Sequence, residues 1–409
     1  MKYLKGAELL LDKLIAWRRH LHQHPELSFQ EVETAKFIVQ ELEKLDNIYI
    51  QKNVGGHGVV ATLTNGKGPT IAVRADIDAL PIIEKNTHDY TSKRYGVMHA
   101  CGHDAHTAML LGAAHILAQQ FKEKELMGTV KLIFQPAEER TDEHGLSGAP
   151  YMIKAGVLDD VEAVIALHVC PWLPVGAIQM NNGYSMANVD VFKATIRGSG
   201  GHGGYPHLST DPLWILGSVL QMFFGTVGRR ISPLDIVAAS IGKIEAGVVS
   251  NVIPAEVKVE GTLRSYSPEV REKLAKEVEL VFKLAETFGG SYEFELERGE
   301  PALNNHMEVN VLIEQAIKDV YPDMEVHWGP FGLGGEDFGY MTEKVPGAMF
   351  FLGCSLNDGK NRDLHTDIFD IDENCLPIGT NIFVAAVNRF LRQEQYHHPL
   401  NRNSIQRGA

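Results

Sequence analysis

The sequence predicts an α/β protein of two domains: a catalytic α/β domain with a largely parallel sheet, interrupted by a smaller ferredoxin-like α+β insert. Three observations predict it. Strands and helices alternate through residues 58–167, the order of a parallel sheet covered by helices. From 189 to 297 the order becomes β-α-β-β-α-β, the split-βαβ unit. At 409 residues the chain is too long for one compact core and suits two domains. The expected boundaries are 1–185 with 300–409 for the catalytic domain and 186–299 for the insert.

Each element has its own warrant. Apolar residues at helical spacing predict a helix over 8–24. Ser28-Phe29-Gln30-Glu31 reads as a capping box opening a second helix, with Val32, Ala35, Ile38, Val39, Leu42 and Leu45 as its stripe. Strands follow at 58–64 and 70–74, a long helix over 104–120, and a strand at 129–134. A helix near 148–155 and a strand at 163–167 complete this stretch. In the insert, 189–197 alternates between two faces, as a strand covered on one side does. A helix over 211–225, strands at 235–243 and 257–264, a helix over 268–287 and a strand at 291–297 complete the unit. Beyond Gly299-Glu300-Pro301 a helix at 310–320, a strand at 348–352 and a final helix near 377–392 return to α/β character.

Composition narrows the function. Hydrophobic residues make up 44% and charged residues 22%, as in a soluble globular protein. The net charge of −14 argues against nucleic acid or an anionic membrane as partner. No stretch approaches the roughly 18 apolar residues of a membrane span, and Met1–His20 lacks the apolar core of a signal peptide. Four scattered cysteines, Cys101, Cys170, Cys354 and Cys375, do not make a disulfide framework, so a reducing cytoplasm is expected. His397 and His398 fall in a polar tail that is expected to be mobile.

The chemistry gathers at strand ends. Asp76 and Asp78 follow the 70–74 strand, Glu138 and Glu139 follow 129–134, and His168 follows 163–167. Sites in open α/β sheets form beyond the carboxyl ends of strands, so three strands deliver metal-capable side chains to one edge. A fourth cluster runs from His99 to His106. Cys101 and His103, two apart, share one side of an extended loop and suit zinc or its neighbours. His106 reads either as a partner of a metal ligand or as an exposed helix face. Of the adjacent Glu138 and Glu139, one can bind metal while the other serves as a base, a division of labour that hydrolysis needs.

At this point the motifs resemble a known family. Arg18-Arg19-His20-Leu21-His22 with Pro25-Glu26-Leu27 is similar to the amino-terminal signature of the aminoacylase/carboxypeptidase-type amidohydrolases, in the subgroup of hippurate and auxin–amino acid conjugate hydrolases. Residues 98–106, 134–139, 200–207, 250–254 and 334–338 resemble its other motifs, in the family's order. The resemblance implies two divalent ions (zinc, manganese, cobalt or nickel), bridged by Cys101 and completed by His103, Glu139, His168 and His365. It implies Glu138 as general base and acid, and Asp78 orienting a ligand from behind. His202 would donate to the oxyanion. Asn251 and Arg264 would hold a substrate carboxylate. It also implies a homodimer or homotetramer joined through the insert, and closure of the insert as a lid. The sequence departs from the commoner pattern at Arg140–Gly145, where relatives often carry glycines, and at Tyr205. Substrate access and specificity are expected to reflect these two places.

The expected activity is hydrolysis of small N-acyl amino acids. A carboxypeptidase or dipeptidase, or a deacetylase of N-acetyl-diaminopimelate, is the alternative. A metal-binding or scaffolding protein without catalysis is a remoter one, and Glu138 speaks against it, because metal holding alone does not require that residue.

Overall fold

A computed structural model describes residues 4–393. His397 and His398 lie outside the described residues. The chain divides into two compact units, one of residues 1–183, 304–329 and 340–409, the other of 184–303 with 330–339.

The first unit is built on an eight-stranded mixed sheet. Its centre is parallel: Gly128–Gln135, Thr70–Asp76, Ala163–Pro174 and Gly347–Ser355 lie side by side in that order. These strands are buried on both faces, which is why they read as near-continuous apolar runs such as Ile71-Ala72-Val73 and Ala163-Val164-Ile165. Antiparallel strands flank them, with Ile48–Val54 and Gly58–Asn65 on one side and Ala177–Met180 on the other. Glu325–Trp328 then pairs parallel to Ala177–Met180 at the far edge. The strands at 48–54, 177–180 and 325–328 were not expected from the sequence.

Helices cover this sheet. His103–Lys122 is buried on almost every side, and its core contacts include Leu110, Leu111, Ala114 and Leu117. The expected 8–24 helix is two pieces, Leu4–Leu9 and Leu11–Gln23. The expected capping box at Ser28 does not form, and the helix runs Val32–Leu42. Ser28 Oγ donates to Asp78 Oδ2 at 2.7 Å instead, and Glu31 accepts from Phe29 N at 3.0 Å. The Ser28 hydroxyl is held by a charge-assisted bond to a buried carboxylate, and Phe29 at φ 65° turns the chain away from a helix.

The second unit has a four-stranded antiparallel sheet. Its order is Val237–Ala246, Glu256–Ser265, Asn188–Arg197, Ser291–Arg298, the ferredoxin-like arrangement. Phe192, Ala194 and Ile196 point to a separate core with Val219, Phe223, Leu274, Val278 and Phe282 from two helices. Both helices start as their sequences dictate. Asp211 caps Pro212–Arg230 through Leu213 N at 2.8 Å, and Ser267 caps Pro268–Thr287 through Val270 N at 3.2 Å. Segment 330–339 is tied into this unit, with Phe331 N donating to Ser185 O at 2.8 Å and Ala187 N donating to Gly334 O at 3.0 Å.

Candidate active site

Four chain segments of the first unit converge on Cys101. The His99–Gly102 loop is set by Gly102 at φ 89°, where an added Cβ would stand 2.3 Å from Val169 Cγ2. Only glycine fits there, and the chain can then enter the His103–Lys122 helix with Cys101 and His103 both turned inward. Cys101 Sγ lies 3.3 Å from His168 Nε2 and 3.3 Å from His365 Nε2. His365 Nε2 lies 3.3 Å from Glu139 Oε1, and His103 Nε2 lies 3.8 Å from that same oxygen. His103, Glu138 and Glu139 also group within one ligand sphere. All five residues expected as ligands, and the expected base, are therefore together.

Each side chain is held from behind. His168 Nδ1 bonds Val169 O at 2.7 Å, which turns the Nε2 lone pair toward Cys101. His103 Nδ1 faces Asp78, at 3.0 Å from its carbonyl and 3.2 Å from Oδ1. Asp78 Oδ2 accepts from Ser28 Oγ and, at 3.0 Å, from Glu139 N. One buried carboxylate thus fixes both His103 and the Glu139 backbone. His365, at φ 61°, is tethered by its own N–H to Ala100 O at 2.8 Å.

Two further supports stand behind these ligands, one that the sequence left open between two readings and one that it missed. Asp76 ends its strand fully buried, paired to Arg74 Nη1 at 2.7 Å, and accepts from His106 Nδ1 at 2.6 Å. His106 Nε2 in turn accepts from Val169 N at 2.9 Å, beside His168. His106 is a buried brace, not an exposed helix face, and both its nitrogens are already engaged. Glu31 is the second: its Oε1 accepts from Ala137 N at 2.8 Å, just ahead of the Glu pair. A strand-end Asp with a His one helical turn inside the next helix was the available signal for the first. Nothing local marked the second.

The electrostatics fit a cation. Burial pushes the Cys101 thiol well up, and the Glu139, Glu138 and Asp76 carboxylates push it further. Burial opposes a charge on His103, yet Asp76, Asp78 and Glu139 outweigh it and carry its imidazole up to about 10. His103 Nε2 and Glu139 Oε1 are buried without a hydrogen bond of sound geometry. Buried polar atoms normally find partners, so orphaned nitrogen and oxygen beside a thiol match the donor chemistry of a divalent transition metal.

The remaining expected residues lie in the second unit. His202 is exposed on a short ribbon, Gly201–His202 paired to Val252–Ile253. Gly204 N donates to its Nδ1 at 2.9 Å, which leaves the ring proton on Nε2. Asn251 O accepts from Gly203 N at 2.9 Å on that ribbon. Arg264 Nη1 donates to Leu333 O at 2.8 Å. Tyr205 is exposed beside His202, and the 140–145 loop closes on Asp142, whose Oδ1 accepts from His144 N and Leu146 N.

Residues 72–389 match the family model described as Peptidase family M20/M25/M40. The chain belongs to this family. It is 39% identical over 374 residues to the N-acetylcysteine deacetylase of Bacillus subtilis, covering 91% of this chain and 95% of that protein. It is 38% identical over 376 residues to thermostable carboxypeptidase 2 of Saccharolobus solfataricus, covering 90% and 93%. Among solved structures, the YXEP protein of Bacillus subtilis, a dinuclear metal binding peptidase of the M20 family, superposes with a TM-score of 0.81 at 35% identity. That match covers 94% of this chain and 99% of the other.

Proposed function

We propose that this family member is an amidohydrolase that takes two divalent ions and cleaves N-acyl amino acids into a carboxylic acid and a free amino acid. The observation that carries the reading is Glu138 standing beside a donor set of one thiol, three imidazoles and one carboxylate. Cys101, His103, Glu139, His168 and His365 would hold the ions, with Cys101 shared. Bound ions supply Lewis acidity, which polarises the amide carbonyl and makes water acidic near neutral pH. Glu138 takes a proton from the attacking water and returns it to the departing amine nitrogen as the C–N bond breaks. His202, with its proton on Nε2, donates to the oxygen that gains charge. Asn251 and Arg264 hold the amino acid's carboxylate, for which a planar guanidinium is suited. The kinship with a deacetylase of N-acetylcysteine supports the substrate class, and the kinship with a carboxypeptidase keeps short peptides as the second reading.

The ion is zinc, manganese, cobalt or nickel, and the enclosed thiol favours the softer of these. Four unpaired, buried cysteines support work in a reducing cytoplasm. Among the described residues no helix is long and apolar enough to cross a membrane. We assign the second unit as a lid and as the joint of a homodimer or homotetramer. Leu213, Trp214, Met222 and Phe224 stand exposed on the Pro212–Arg230 helix, and Val237–Ala246 is an unpaired sheet edge.

The test is to strip the metal, restore each ion separately, and follow amine release from N-acetyl amino acids, hippurate and dipeptides. Release from the acyl amino acids is the expected result. Release from dipeptides alone would establish the peptidase reading, and no turnover with any ion would overturn both. Glu138→Gln should lower kcat by about 10²–10⁴-fold while metal content, read by mass spectrometry, stays as in the wild type.

A further inference from the structure

Around Cys101 two marks of a cation site coincide. Donor atoms stand 3.3–3.8 Å apart, and buried donors lack hydrogen bonds. The edges of a tetrahedron around an ion with bonds of about 2.0–2.2 Å are about 3.3–3.6 Å long. The same two marks recur in the first unit at residues the hydrolytic reading does not use.

His22 Nε2 stands 3.2 Å from Glu84 Oε1, and His88 Nε2 stands 3.6 Å from that oxygen and 3.7 Å from Asp370 Oδ2. The last two gaps are too long for hydrogen bonds. Both ring nitrogens of His88 are buried, and neither has a hydrogen-bond partner among the described residues. One ligand atom each of His22, Glu84 and His88 lies within 4.8 Å of the other two.

The surroundings hold these donors in place. His22 Nδ1 lies 2.7 Å from Asp104 Oδ2, so a proton there leaves the Nε2 lone pair free, the carboxylate–histidine arrangement found behind metal ligands. Glu84 is fixed by Ser92 N at 2.7 Å and Asn86 Nδ2 at 3.0 Å. Tyr90 stacks on His88 at 3.6 Å between ring centroids and donates to Asp370 Oδ2 at 3.0 Å.

Charge points the same way. Four carboxylates, Glu84, Asp104, Asp370 and Glu373, meet two guanidinium groups, Arg18 and Arg19. With His22 neutral, as a metal ligand has to be, two negative charges remain over, the charge of one divalent cation; despite burial, the carboxylates on both His22 nitrogens otherwise favour its charged form, which the ion would displace. Arg18 is spent on Asp104, on Asp370 Oδ1 and on Glu373; Glu84 Oε1 and Asp370 Oδ2 each accept from a neutral donor, Asn86 Nδ2 and the Tyr90 hydroxyl, and keep a further lone pair for the ion. The His88 side chain is 19% exposed and gives the way in, while His22 is closed from solvent.

We propose that His22, Glu84, His88 and Asp370 form a further, structural cation site of the zinc type. It ties the Leu11–Gln23 helix to the 84–92 loop and to the segment at 370. The test loads the full-length protein with zinc, removes free metal, and counts ions per chain by mass spectrometry. His88→Ala should hold one ion fewer than the wild type and keep the activity. Glu84→Gln should show the same loss of one. The difference carries the inference whatever the count at Cys101, so its failure is separate from failure of the two-ion reading. Equal counts in the wild type and both variants would overturn it. Should the variants not fold, anomalous scattering from zinc-loaded wild-type crystals decides: a peak beside His88 supports the site, and its absence there refutes it.

Discussion

Glu31 shows how one side chain can couple stability to the active site. It is fully buried, its Oε1 takes the Ala137 and Phe29 amides, and its Oε2 has no hydrogen-bond partner among the described residues. Burial, and then the Asp78 carboxylate, push its acid up to about 7 from 4.5. An acid raised on folding binds more protons folded than unfolded between those two values. Stability therefore falls as pH rises from about 4.5 to 7 and levels off above, by roughly 3 kcal/mol for the full shift. Glu31→Gln should remove that loss. In urea unfolding of the metal-free protein, the variant should gain on the wild type from pH 5 to about pH 7 and hold that gain, without further increase, at pH 8. A constant gap across that range would rule out the raised acid. The sequence offered Glu31 only as the fourth residue of a capping box, because its true partner, Ala137, is 106 positions away. Cys101, His103 and the Glu pair were legible because each sits at a local junction of loop, strand and helix. His365 was reached only through the family resemblance: its bond to Ala100 O comes from a fold that local pattern cannot show.

Among elements, the turn that carries Glu138 and Glu139 is the most constrained. Ala137 sits at φ 50°, and its carbonyl accepts from Gly148 N at 2.8 Å where the Gly148–Lys154 helix begins. A Cβ on Gly148 would stand 1.7 Å from Pro136 O. Backbone has to move to admit it, and that backbone is the one that aims the base. Gly148→Ala should cost about 1–3 kcal/mol in stability and lower kcat as well. Thermal unfolding and steady-state kinetics check the pair of effects; a variant unchanged in both would show that the turn is slack. The long elements could be read because their apolar periods run for many residues, as in Leu274, Val278, Val281, Phe282 and Ala285. Ala177–Met180 and Glu325–Trp328 are too short to show a period, and Glu325–Trp328 lies mostly in solvent.

For the whole molecule, the two units keep separate hydrophobic cores, one under the large sheet and one under the small. That separation explains why the order of elements alone exposed the insert, since each stretch of sequence carries the pattern of the core it serves. The second unit spends apolar side chains that its own core does not take up. Trp214 is 60% exposed and Phe224 66%. With Met222 they share a helix with the buried Ile215, Val219 and Phe223. A helix that is apolar on its outer side as well as its inner side is fitted for burial against a second surface. Light scattering of the wild type should give at least twice the 45.2 kDa of one chain. Met222→Asp with Phe224→Asp should reduce it to that of one chain, because two carboxylates would have to be buried without partners to keep the joint. The metal count should be unchanged, since every proposed ligand lies in the other unit. A wild type that runs as a single chain at micromolar concentration would refute the dimer, and a double variant that keeps the wild-type mass would move the joint to another face.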